Sequence, residues 1–311
     1  MTSVIAAGDG HNSGGVYCGL GSQSRLVLVK VSTPQLRVKE IDIMRGLNWL
    51  LGHHAQYGVQ IVNISVGGDF VSDDPAHPLH TAVRDLVEQG VVVVIAAGNR
   101  TIDTLVPPAS APEAITVGGY SDENTFDRRH WHGYGNSYGT AYDGTAKPEL
   151  VAPARWIASP ILPDSNAERE IAWLAPLLRG YDGTALQRLL HEGREALHIA
   201  PDAEADTDLY TLLQDRIDYH KIINESYQHV DGTSVAAPIV ASVIAQMLEV
   251  NPRLTPLEIK RILTETAQPL PHTAPARQGA GGVNAADAVA MAAAYLENQS
   301  MINEQSIEGA R

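Results

Sequence analysis

Apolar residues along this chain follow two periods. Short continuous runs, such as Leu26-Val27-Leu28-Val29 and Val91 to Ala97, have the composition of strands covered on both faces. Between them, apolar positions recur at helical spacing, as at Ile41, Met44, Leu47, Leu50 and Leu51. In chain order the pattern predicts the tail of a helix at Met1–Ala7 and a glycine-rich loop at Gly8–Gly21. A strand at Arg25–Ser32 and a helix at Ile41–His54 follow, then a strand at Gln60–Val66 stopped by Gly67-Gly68. Next come a helix at Leu79–Glu88 closed by Gly90, a strand at Val91–Ala97 and a shorter one at Ile115–Val117. Strands alternating with helices imply an α/β, three-layer fold: a parallel sheet with helices on both faces.

The second half departs from this rhythm. Ser121–Ala146 is polar and rich in Gly, Tyr and Asn, and reads as loop. Lys147–Pro153 reads as a short strand. Arg155–Tyr227 is charged with helical apolar spacing (Ile171, Trp173, Leu174, Leu177, Leu178; then Leu209, Leu212, Leu213, Ile217), and is expected to be a helical insertion. Ile239–Leu248 reads as a buried helix, Thr255 as the cap of a helix at Pro256–Ala267, and Asn284–Tyr295 as an Ala-rich helix. The expected domains are therefore 1–154 with 228–296, an insertion at 155–227, and a flexible polar tail at 297–311.

Candidate chemistry concentrates just ahead of the apolar helix, at Asp231-Gly232-Thr233-Ser234-Val235-Ala236-Ala237-Pro238. Gly232 permits a tight entry, and Pro238 falls early enough to do limited damage to the helix. A hydroxyl there meets unpaired N–H groups and the positive end of the helix dipole, which stabilise a developing oxyanion. The plainer role for such a serine is an N-cap. Asp-Gly-Thr also occurs at Asp143 and Asp182, where no Ser follows and a turn suffices.

Composition narrows the function. The 22 basic and 36 acidic residues leave a net charge of −14, a poor match for nucleic acid and a support for solubility. Cys18 is the sole cysteine, so no internal disulfide forms, and it reads as a small buried hydrophobe. No run approaches ~18 uninterrupted apolar residues, so no membrane span is expected. No basic region leads into an apolar stretch at the N-terminus, so no signal peptide is expected and location stays open. No cofactor and no metal-ligating residues are expected, and bound calcium and oligomeric state are left open.

Gly-Thr-Ser-x-Ala-x-Pro resembles the nucleophile motif of subtilisin-like serine proteases. Further segments match in the family's order. Asn63-Ile64-Ser65-Val66-Gly67-Gly68 resembles the strand that pairs with substrate backbone, and Ala96-Ala97-Gly98-Asn99 the opposite wall ending in the oxyanion asparagine. Lys147-Pro148-Glu149-Leu150-Val151-Ala152-Pro153 is similar to Lys-Pro-Asp-x-x-Ala-Pro, with Glu for Asp. Gly279 to Ala285 resembles Gly-x-Gly-x-Val-Asn-Ala. The resemblance implies a serine endopeptidase acting on peptide or protein substrates, with Ser234 as nucleophile and Asn99 as oxyanion donor. Ser65, Val66, Gly67, Ala96 and Gly98 would contact substrate. Without the resemblance, Asn99 is a turn residue after a strand.

Two family motifs, Asp-Ser/Thr-Gly and His-Gly-Thr, do not occur. Met1–Gly8 resembles the helix that follows His-Gly-Thr, so the chain is expected to begin three residues after the catalytic histidine. A break inside a helix favours Met1 as an internal methionine over a true truncation. The missing first strand should leave a gap or exposed edge in the sheet. Of the twelve histidines, none of His11, His53, His54, His130, His132 and His229 has the family's context. The alternative to a protease is a catalytically dead peptide-binding protein. A nucleotide-binding α/β protein is disfavoured, because no Gly-x-Gly-x-x-Gly or Gly-Lys-Ser/Thr follows a strand.

Overall fold

The computed structural model describes residues 1–33, 37–180 and 182–308, with side chains through Leu296. The elements are α1 (Thr2–Ala7), α2 (Glu40–Tyr57), β1 (Ile61–Ile64), α3 (Pro78–Glu88), β2 (Val92–Ala96), β3 (Ile115–Ser121), β4 (His132–Gly133), β5 (Gly139–Thr140), β6 (Ala146–Lys147) and β7 (Leu150–Pro153). Then come β8 (Ile157–Pro160), α4 (Asn166–Leu174), α5 (Gly183–Arg188), α6 (Thr207–His220), β9 (Tyr227–Val230), α7 (Thr233–Val250), α8 (Pro256–Thr266), α9 (Pro275–Gln278) and α10 (Ala285–Glu308).

Contacts divide the described residues into two units. The larger holds residues 2–9, 18–155 and 231–311. Its sheet runs β1-β2-β3-β4, with β7 also paired to β3. The β1–β2, β2–β3 and β3–β7 pairs are parallel, with Ile61 opposite Val92 and Val94 opposite Ile115; β4 is antiparallel. The predicted strands at Gln60–Val66 and Val91–Ala97 are thus adjacent and parallel. Two apolar clusters sandwich the sheet. Ile43, Leu47 and Leu50 of α2 pack with Leu79, Val83 and Leu86 of α3 on Val62, Ile64, Val93 and Ile95. On the other face Val240, Val243, Ile244 and Met247 of α7, with residues of α8 and α10, cover Val92, Val94, Val117 and Leu150. Each odd or even set of strand side chains enters one cluster, as the two-residue period demands.

α7 is long and apolar enough to cross a membrane by length and composition. Here it is the core helix, since Val235, Ala236, Ala237, Val240, Val243 and Ile244 are buried within the protein.

Three expectations are corrected. Cys18, read as a buried hydrophobe, is exposed. Arg25–Ser32 is extended but is no strand; only Ser32 makes an isolated bridge, to Val38. Its apolar run suits a covered strand, yet Leu26 and Leu28 are 49% and 73% exposed. The run has no partner because β1, the strand that ends the sheet on this side, pairs only with β2. The expected tail is also helical backbone through Glu308, for no Gly or Pro interrupts 285–308. Residues 309–311 of that tail lie outside the described residues.

The smaller unit is residues 156–230 with Met1 and 10–17. Ile171, Leu174, Leu177, Leu186, Leu189, Leu213 and Ile217 form its core. Helical spacing is visible in its sequence. The β8–β9 pair, with Ile157 opposite Val230, carries no such signal and went unpredicted.

One polar cluster lies wholly inside the larger unit. Glu149 Oε1 stands 2.6 Å from both Lys147 Nζ and Lys260 Nζ. Glu149 Oε2 accepts from Thr116 N–H at 2.7 Å. Both ammonium groups also donate to the Ala114 carbonyl, at 2.8 and 2.9 Å. Removing one partner of a buried ion pair costs about 3–5 kcal/mol, because the other charge stays behind. The cluster therefore ties β7, α8 and the segment entering β3 together.

Two predictions follow from this packing. Burial pushes the Lys147 ammonium down to about 8, against ~10.4 in an unfolded chain. Between those values the unfolded state binds more protons, so stability rises with pH. The urea unfolding free energy should climb from pH 8 to 10 by up to about 3 kcal/mol more than in Lys147→Met; equal slopes would mean that Lys147 titrates normally. Separately, Ile157 pairs with Val230, so a short Gly-Ser link can replace the segment between them. That deletion should leave a cooperatively unfolding larger unit, and loss of a cooperative melt would show the insertion to be structural.

Candidate active site

The carboxyl ends of β1 and β2 and the start of α7 meet at one point, the end of a parallel sheet where α/β proteins place their sites. Gly98, two residues past β2, has φ +99°, a left-handed conformation that glycine adopts readily. A β-carbon there would also lie 3.1 Å from Ser137 Oγ. This turn aims Asn99 at α7. Asn99 Oδ1 accepts from Thr233 N–H at 2.8 Å and from Thr233 Oγ1–H at 3.0 Å, while Gly98 N–H donates to Thr233 Oγ1 at 3.1 Å. Gly232, the N-cap of α7, has no capping side chain, so the cap comes from Asn99 across the sheet end. Gly232 has φ +129°, and a β-carbon on it would sit 3.1 Å from Asn99 Nδ2.

Ser234 is the second residue of α7 and half-buried. Pro238, four residues on, has no N–H to give back to the Ser234 carbonyl. That carbonyl accepts instead from Ser65 Oγ–H at 3.0 Å, and Ser234 Oγ–H in turn donates to the Ser65 carbonyl at 3.4 Å. Among the described residues, the Ser234 main-chain N–H and Asn99 Nδ2 donate to no protein acceptor. Two donors are thus uncommitted around the first turn of α7, a helix end whose dipole favours negative charge.

The structure brings Ser65, Gly98, Asn99 and Ser234 together. Val66 is half-buried against the α2–α3 cluster, Ala96 is half-buried at the end of β2, and Gly67 is exposed. The 67–69 segment is braced from two sides. Gly68 N–H donates to the Pro107 carbonyl at 2.6 Å, and Asp69 N–H to Glu40 Oε2 at 3.1 Å. Sequence reasoning missed Thr233, Ser137 and Glu40. Thr233 stood in the motif itself; Ser137 and Glu40 carry no local signal, being joined to the site only by the fold.

Among the described residues no histidine hydrogen-bonds Ser234. His53 meets the Trp49 carbonyl at 2.8 Å, His54 meets Gln89 at 2.7 Å, and His229 meets the Trp156 carbonyl at 2.8 Å. His130 and His132 pair with Asp127 and Glu123, each at 3.5 Å, and His11 opens a short turn. His80 does touch a serine: its Nε2 lies 2.8 Å from Ser110 Oγ and its Nδ1 2.8 Å from the Asp74 carbonyl. Both residues are buried, and burial holds the imidazole below its usual pKa, so this pair braces α3. No group of three or more His, Cys, Asp or Glu among the described residues could hold a metal.

A model of the Subtilase family matches residues 1–281. The chain belongs to the subtilase family. Subtilases are serine proteases, and this subtilase is 28% identical over 292 residues to serine protease AprX of Bacillus subtilis, covering 91% of this chain and 55% of AprX. It is 32% identical over 180 residues to subtilisin-like protease 2 of Pseudogymnoascus destructans, covering 56% and 42% of the two chains. It therefore spans about half the length of the curated relatives it matches. Among solved structures, the patellamide maturation protease PatA superposes with TM-score 0.59 at 20% identity, over 94% of this chain and 82% of that one. That likeness shows the fold, a subtilisin-like α/β domain.

The Asn99–Thr233 link can be tested by stability alone. Losing a helix cap costs ~1–2 kcal/mol, so Asn99→Ala should lower the urea unfolding free energy by about that amount. Asn99→Asp keeps both acceptor contacts and should recover most of it. An alanine variant as stable as the wild type would show that the cap contributes nothing.

Proposed function

We propose that this subtilase carries the nucleophile and oxyanion half of a serine endopeptidase site. In this reading Ser234 attacks the scissile carbonyl and forms an acyl-enzyme. The oxyanion is held by the Ser234 N–H and Asn99 Nδ2, and Ser65, Val66, Gly67, Ala96 and Gly98 line the substrate backbone. The observation that carries the reading is that Asn99 is bonded to Thr233, next to Ser234, while its Nδ2 and the Ser234 N–H donate to no acceptor among the described residues. Such donors are worth most when preset where charge develops; removing one from subtilisin, itself a member of this family, costs about 2.7–4 kcal/mol.

The base and its orienter are the missing half. A serine hydroxyl is a weak nucleophile unless a base takes its proton. In subtilisin, loss of the serine or the histidine lowers kcat about 2 × 10⁶-fold. We therefore take residues 1–311 to be inactive alone. The absence of a histidine on Ser234 among the described residues equally favours a second reading, a peptide-binding protein that has lost catalysis.

Peptide cleavage and fluorophosphonate labelling of Ser234 separate these outcomes. Residues 1–311 should neither cleave nor label at a family rate. A chain extended upstream with segments bearing Asp-Ser/Thr-Gly and His-Gly-Thr should do both, and Ser234→Ala in it should abolish turnover while leaving the fold intact. Family-level cleavage by residues 1–311 would mean that one of their own histidines is the base. An extended chain that folds, binds peptide and stays unlabelled would establish the binding protein.

A further inference from the structure

Glu40 is the first residue of α2, whose N-cap Lys39 makes no side-chain cap bond. The Glu40 carboxylate joins three elements. Oε2 accepts from Asp69 N–H at 3.1 Å and lies over Gly68, where a β-carbon would stand 2.5 Å from it. Oε1 lies 3.3 Å from His77 Nε2, the Glu40 and His77 side chains being 30% and 16% exposed. An acidic side chain in the first turn of a helix is stabilised by the dipole wherever it turns. The dipole alone therefore gives Glu40 no reason to point at Asp69.

His77 supplies that reason. It is the N-cap of α3, and its Nδ1 accepts from Leu79 N–H at 3.3 Å. A neutral imidazole that accepts at Nδ1 carries its proton on Nε2. The cap thereby fixes the tautomer that donates to Glu40, and a hydrogen bond to a carboxylate is about twice as strong as a neutral one. The ring itself is held in place. It packs against His80 with centroids 5.3 Å apart, and Leu79, Val83 and Leu86 anchor α3 in the core.

The segment on the other side of Glu40 needs such a post. Having no side chain, Gly67 cannot anchor itself. Its main-chain N–H and carbonyl have no partner among the described residues, whereas the next two amides are both tied, Gly68 to Pro107 and Asp69 to Glu40. Gly67 is therefore exposed and open for pairing, and its orientation follows from what holds residues 68 and 69. One of those ties ends on a main-chain carbonyl. The other ends on a side chain that has rotamers to choose from.

We infer that His77 is a positioning residue for the substrate groove. It turns the Glu40 carboxylate onto the Asp69 N–H and, through that bond, sets the Gly67 peptide at the angle where an extended substrate pairs with it. The tie is independent of the proposed function; only its use by substrate rests on that reading. A plainer role, capping α3, accounts for Nδ1 and leaves Nε2 and the carboxylate facing it unexplained.

Two near-isosteres separate the ring's two jobs. Asparagine places an acceptor where Nδ1 lies and caps helices well, yet falls short of Glu40. Glutamine places an N–H where Nε2 lies and caps poorly. In residues 1–311, His77→Asn should melt as the wild type does, while the Asp69 amide proton resonance moves upfield and exchanges about fivefold faster, the worth of one hydrogen bond. His77→Gln should lower the melt and keep the wild-type Asp69 signal. Glu40→Ala should release Asp69 as His77→Asn does. An Asp69 signal unmoved by His77→Asn overturns the inference. With a fluorogenic octapeptide and the extended chain, His77→Asn should raise KM about fivefold and leave kcat alone, because a backbone contact made equally in ground and transition states acts on KM only. If the extended chain binds the peptide without cleaving it, the catalytic reading fails and the same fivefold change is expected in Kd. Release of Asp69 with KM or Kd unchanged overturns the inference without touching the catalytic reading. An extended chain that neither binds nor cleaves has no groove to position, and the inference falls with it.

Discussion

The bond set between Asn99 and Thr233 is the point on which the larger unit turns. α7 supplies the middle of one apolar cluster, so wherever its first turn is fixed, the sheet and three helices follow. The helix cannot cap itself, because Gly232 has no side chain to offer. Asn99 does so from the end of β2, with one oxygen accepting two hydrogen bonds. The same contact leaves the asparagine's NH₂ group free. A stability device and a chemical one thus share a side chain, one atom for each.

Much of this was legible in the residues. A continuous apolar run gave β2 because a strand covered on both faces has no polar side to show. The Gly-Thr-Ser-x-Ala-x-Pro stretch was legible because Gly232 and Pro238 answer local demands, a special φ and a missing N–H; the Thr233 hydroxyl serves residues distant in sequence. The failure at Arg25–Ser32 has the same root as the success. Apolar composition records what a segment is built to be buried by, and a lone segment cannot reveal whether that neighbour is present. The β8–β9 pair and the bracing of 67–69 by Glu40 were invisible for another reason: both depend on residues distant in sequence.

The Lys147–Glu149–Lys260 cluster shows how a departure from a family pattern is absorbed. Glu in place of Asp brings a longer side chain. It meets two ammonium groups and one main-chain N–H. One carboxylate between two ammoniums leaves an excess positive charge, and the carbonyls of Pro112 and Ala114 face it. Oxygen dipoles thus do what a second carboxylate would otherwise have to do.

The pairing of Ile157 with Val230 also bears on how the chain folds. In sequence, β7 and α7 are separated by the whole insertion, and bringing distant segments together costs entropy that grows with the intervening length. If the antiparallel β8–β9 ladder closes first, the two segments become near neighbours on a shortened path. The insertion then acts as a tied-off loop, and the contact order that governs the folding rate of the sheet is that of a smaller protein.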